Sequence, residues 1–154
     1  MTSLPDPTPQ GPAPFNEDTA PDWLLQVLVS VVNTSPLPIP ITVNVGGMFI
    51  TGYLASGKEY FAAFADQFTD EFLASLGADH FEGPRRALLA RAAAIYGNEP
   101  APDAPPPTFI HLKHATFLLP GQSLPSTNRP IWWRGRLSCV QGFIFGRMGD
   151  PAES

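Results

Sequence analysis

Three things are scarce in this sequence: cysteine, uninterrupted apolar stretches, and acid in the last third of the chain. The single cysteine among 154 residues, Cys139, excludes an internal disulfide framework. No run approaches the roughly 18 consecutive apolar residues of a membrane-spanning helix, so no span is expected. The first residues lack the basic stretch followed by an apolar one that marks a secretory signal. A reducing, cytoplasmic setting is the expectation that follows. Catalytic signatures are missing as well. There is no phosphate loop, dinucleotide fingerprint, zinc-ligand spacing or local Ser/His/Asp pattern. The expectation is a protein that is not an enzyme and carries no metal or cofactor.

Charge is sparse and unevenly placed. Residues 1–107 hold twelve acids and four bases, whereas 108–148 hold five bases (Lys113, Arg129, Arg134, Arg136, Arg147) and no acid. The two parts carry −8 and +5, and Asp150 and Glu153 bring the chain to −5. Either the basic part meets an anionic partner or the two parts neutralise each other within one fold. The acidic total favours the second.

Proline is abundant: nineteen residues, clustered at 4–21, 35–40, 97–107 and 120–130. Without an N–H, proline suits tails, turns and linkers rather than ladders and helix interiors. Residues 1–20 therefore read as a disordered Pro-rich arm, 21–149 as one domain and 150–154 as a tail. Asp22 is placed to cap a helix over 23–32 that is apolar nearly all round and hence expected to be buried. Ile41, Val43 and Val45 alternate with Thr42 and Asn44 as a strand. Gly46–Gly47 permits a sharp bend into a second strand over 48–56, in which Gly52 marks a bend or bulge. From Gly57 the period turns helical. Phe61, Phe64, Phe68, Phe72 and Leu76 fall on one face, and burying four phenylalanines is worth on the order of 6–12 kcal/mol before entropy. Gly77 is a plausible stop, and a second helix fits 85–96. Further strands are expected over 108–119, 131–139 and 141–148, which makes a five-stranded antiparallel barrel with a helical insertion at 57–107.

The alternation and glycine spacing of ITVNVGGMFITGYL (41–54), with FIHLKHA (109–115) and WWRGRLSCV (132–140), resemble the two motifs of Sm-like proteins of the Hfq type. Over 23–148 the order ITVNV–GG–ITGYLASGKEYF, FIHLKHATFLLPG, WWRGRLSCVQGFIFG is similar to the gas-vesicle accessory protein U family. The resemblance implies an α+β, Sm-like barrel that forms homo-oligomers by pairing edge strands. It also implies a role in clustering or assembling gas vesicles, through contacts with the vesicle surface or other gas-vesicle proteins.

The candidate interaction residues are Phe61, Phe64, Phe68 and Phe72 on the helix, Trp132 and Trp133, and Phe143 and Phe145 on the last strand. Adjacent tryptophans on a strand face opposite ways, so one is expected in the core. An alternative reading is an RNA-binding ring using Arg134, Gly135, Arg136 and Lys113. In Sm proteins the arginine flanks a uracil together with an acid and an asparagine. Here Phe109 stands at the asparagine position and the acid is lost in the insertion, so nucleic acid is not the expected partner. The bland alternative for Arg134 is a structural contact, for example with Asp66 or Asp70. His111 and His114 lie on opposite faces of a strand and cannot share a metal. They and His80 are read as structural or solvated, and Cys139 as buried and inert.

Overall fold

The computed structural model describes residues 20–76, 81–123 and 129–149. The expected arm (apart from Ala20), the stop at Gly77, His80 and the tail lie outside these residues.

Helix α1 (Trp23–Thr34) starts where its cap dictates. The Asp22 carboxylate accepts from the backbone N–H of Leu24 and Leu25 at 2.8 and 3.1 Å. It buries Leu25, Val29 and Val32 against the sheet, but only that stripe. Trp23, Leu24, Val27 and Val31 stay exposed, so the expectation of a fully buried helix fails. An apolar composition all round does not say how many neighbours the fold supplies.

Strands β1 (Pro40–Val45) and β2 (Met48–Ala55) form a hairpin with Val45 opposite Met48. Its two turn residues, Gly46 and Gly47, have φ of 60° and 83°, the left-handed pair that a tight hairpin turn needs. β2 pairs with β3 (Phe109–Leu119), and the register shifts between Thr51 and Tyr53. This is the bulge expected at Gly52. A Cβ there would lie 2.8 Å from the Lys113 carbonyl oxygen, while His114 across the ladder takes φ 52°.

The sheet is antiparallel and open. β3 carries two short strands on its other edge, β4 (Gln122–Ser123) near one end and β5 (Trp133–Arg136) near the other. β1 carries β6 (Gly142–Phe145) at the opposite margin. Among the described residues β5 and β6 do not pair with each other, so the expected closed barrel is corrected to an open sheet. β5 also stops earlier than expected. Leu137–Cys139 is a 3-10 turn that buries Leu137 and leaves Cys139 exposed, which corrects the reading of that cysteine as buried. The main core lies between α1 and one sheet face, around Ile41, Val43, Ile50, Leu54, Ile110 and Leu112.

The opposite face is covered in two parts. The chain after β6 crosses its middle. The Thr42 hydroxyl donates to the Gly146 carbonyl (2.9 Å), the Thr42 and Thr51 hydroxyls lie 3.0 Å apart, and the Met148 N–H donates to Thr51 Oγ1 (3.0 Å). Next to it sit α2 (Gly57–Leu76) and α3 (Glu82–Tyr96), packed on each other, with α2 also against β3. α2 opens with a reciprocal cap: Ser56 Oγ accepts from the Glu59 N–H, and Glu59 Oε2 accepts from the Ser56 N–H.

Candidate interaction surfaces

Arg134, His111 and Phe109 form the most organised polar cluster. Partners across β3 and β5 share a sheet face, so Phe109, His111, Arg134 and Arg136 point towards the helical pair. The Arg134 guanidinium lies 3.5 Å from the Phe109 ring centroid and 5.6 Å from that of Phe61. Its Nε–H donates to His111 Nε2 at 3.2 Å. That bond requires Nε2 to be the unprotonated nitrogen, which puts the proton on Nδ1, an atom with no hydrogen-bond partner among the described residues. His111 is 1% exposed and ringed by Tyr60, Phe61 and Tyr96 at centroid distances of 4.8, 6.0 and 5.8 Å. Burial, helped by the charge of Arg134, pushes its pKa from 6.5 down to about 3. Burial also pushes the Tyr60 hydroxyl up, against a smaller opposing pull from Arg134.

Arg134 thus holds the sheet to the helical pair. Its contacts are with rings and an imidazole, whereas Asp66 is taken by Arg85 (2.8 Å). Lys113 pairs with Glu59 at 3.1 Å. Burial pushes the Glu59 carboxyl up, but the Ser56 N–H and Lys113 outweigh it and leave it below its usual value. Arg136 lies 5.6 Å from the Phe109 ring centroid. Three of the four residues of the RNA reading therefore have protein contacts. The fourth, Gly135, has a packing reason: a Cβ there would run into the Trp133 indole, which lies across it.

Trp133 packs on the core, and Trp132, the residue just before β5, turns the other way to meet the Tyr60 ring at 6.4 Å. From Tyr60 a row of rings runs along α2 to α3: Phe64 at 6.1 Å, Phe68 at a further 6.0 Å, then Phe81 at 6.2 Å. Phe61 turns inward to stack on Tyr96 at 5.9 Å. The helix face is less buried than its periodicity implied, since Phe64 is 39% exposed. The side chain of Phe72 lies outside the described set.

The margins of the sheet form a second surface. Phe143 packs on the core, while Ile144 and Phe145 are 53% and 64% exposed on a strand whose outer edge has no neighbour among the described residues. No group of His, Cys, Asp and Glu among the described residues can hold a metal ion, and no described helix is long and apolar enough to cross a membrane. His114 is exposed at the bulge, away from buried His111.

These features define an α+β protein built on an open antiparallel sheet, with apolar surface at a sheet edge and along two helices. The family model described as gas vesicle protein GvpU-like matches residues 22–148, and the chain belongs to that family. No curated protein and no solved structure matches it.

Proposed function

We propose that this chain is a non-enzymatic accessory protein of gas vesicles, which works in the cytoplasm by self-association and by contact with vesicle proteins to cluster or assemble vesicles. Membership of the gas-vesicle family supports the setting. The observation that carries the mechanism is the outer edge of β6, which has no strand neighbour among the described residues, with Ile144 and Phe145 exposed beside it. An unpaired, apolar strand edge is a template for another chain. β5 supplies an edge at the opposite margin, joined to β6 by the 3-10 turn, so edge-to-edge pairing between copies is head to tail. The helix-first order and these two margins also support reading the sheet as an open Sm-like arrangement. Self-association multiplies weak contacts, which is how small proteins gather large particles.

Mixing the purified chain with purified gas vesicles tests this by light scattering and co-flotation. Clustering that is lost in Ile144→Lys, with the monomer still folded, is the expected result. A chain that stays monomeric at high concentration, or vesicles that remain dispersed and float without it, overturns the proposal.

A further inference from the structure

Arg134 and Arg136 are both exposed, and their guanidinium carbons lie 3.5 and 5.6 Å from the centroid of one ring, that of Phe109. Neither has an acidic partner among the described residues, and residues 108–148 contain no acid to supply one. Arg134 directs its Nε–H to His111, and its terminal N–H groups have no acceptor among the described residues.

The same two residues carry the outward backbone groups of β5. The Leu137 N–H donates to the Thr108 carbonyl at 2.9 Å, which makes that pair a bonded one. Bonded pairs alternate along an antiparallel ladder, so Trp133 and Gly135 face β3 while Arg134 and Arg136 turn their N–H and C=O away from it. No strand lies on that side among the described residues.

We propose that the outer edge of β5 docks an extended acidic segment of another protein, which adds a strand and sets carboxylates at alternate positions beside Arg134 and Arg136. Residues i and i+2 of a strand share a face and lie about 6.7 Å apart, so two acids at that spacing match the two arginines. Each guanidinium can donate two parallel N–H bonds to a carboxylate, and the strand edge supplies main-chain bonds to the same segment. The residue between the acids falls on the side of half-buried Trp133, where an apolar side chain fits. No two of the chain's fourteen acids stand two residues apart, so a second copy does not offer this pattern. A nucleic acid fits less well. Lys113 is taken by Glu59 at 3.1 Å and Arg85 by Asp66 at 2.8 Å, and a polyanion needs more than two adjacent cations.

The site does not rest on self-association. In a head-to-tail row the last copy keeps its β5 edge, and a lone copy always does, so the acidic partner seats on single copies and on row ends.

The test titrates the isotope-labelled full chain, carrying Ile144→Lys to keep copies apart, with a short peptide in which glutamate alternates with valine, read by NMR. The Arg134 and Arg136 amides should shift as their N–H groups gain acceptors, and binding should weaken with salt. Arg136→Gln, a change that spares the Arg134–His111 bond, should weaken it roughly two- to fivefold. Arg136→Glu should prefer a peptide with lysine in place of one glutamate. No shift at millimolar peptide overturns the proposal, as does equal binding of a peptide whose glutamates are adjacent and so face opposite ways. Tighter binding of oligouridylate at the same amides also overturns it, because the ligand is then nucleic acid. Binding in this variant does not require copies to associate, so failure of this site and failure of self-association are read apart.

Discussion

Acid should destabilise this protein well before its carboxylates titrate, and the cause is His111. In the unfolded chain an imidazole titrates near 6.5, whereas in the fold burial and Arg134 hold His111 at about 3. Above pH 6.5 both states carry a neutral imidazole and the effect vanishes. Below 6.5 the unfolded state takes up a proton that the folded state refuses, so stability falls by up to about 1.4 kcal/mol per pH unit, and the decline levels off near pH 3. At pH 5 the loss is about 2 kcal/mol, or roughly 6–8 °C in Tm for a domain of this size. Glu59 adds a loss of the same sign, but only as pH falls below about 4.5, so the window from pH 7.5 to 5 isolates the histidine. Thermal melts across that window, on wild type and His111→Phe, measure the effect, and His111→Phe should flatten the slope. Arg134→Gln should leave the slope near pH 6 unchanged and make the decline level off at a higher pH, since removing the charge lets the folded imidazole protonate more readily while burial still holds its pKa down. A wild-type Tm that is constant from pH 7.5 to 5, or a slope that survives in His111→Phe, refutes the reasoning.

Other substitutions probe single contacts. Gly135→Ala should cost about 1–3 kcal/mol in urea melts, because the new methyl displaces the Trp133 indole from the core, and the change should be visible in tryptophan emission. Arg134→Lys keeps the charge but loses the flat stack on Phe109 and the bond to His111. It should lower stability by about 1–2 kcal/mol, measured by denaturant melts at pH 7.5. Asp22→Ala should remove about 1 kcal/mol by leaving the first N–H groups of α1 without their acceptor, with faster amide exchange at Leu24 and Leu25.

Local chemistry was the legible part of this fold. The β1–β2 hairpin follows from alternation around Gly46–Gly47, and the bulge from a lone glycine inside a strand. α2 follows from its phenylalanine spacing, and the N-terminal cap from Asp22. The Ser56–Glu59 cap carries its own local signal, S-x-x-E ahead of a helical run. Long-range geometry was not legible. Whether β5 meets β6 depends on how far the sheet curves, which no periodicity encodes. The 3-10 turn at 137–139 is hidden because Leu137 and Val140 are as apolar as a continuing strand requires. Phe109 counted in the sequence only as a lost asparagine. Its role as the platform for Arg134 needs strands brought together across 24 residues of chain and more.

The placing of β6 has a consequence for how the protein is made. Asn44 and Gly46 wait for Gln141, and Thr42 for Gly146, across 95 to 104 residues of chain. At about 5–20 residues per second a ribosome needs roughly 5–20 s to bridge that gap, and meanwhile the hairpin shows its β1 edge to every neighbouring nascent chain. The helical pair is synthesised within the interval and can form from local contacts, but the sheet cannot be completed until the last strand emerges. Slow translation over 57–120 therefore prolongs the period in which two such chains can exchange strands. Overexpression shortens the distance between them, so misassembly should rise with slower elongation over 57–120 and with neighbour density even when the finished fold is stable.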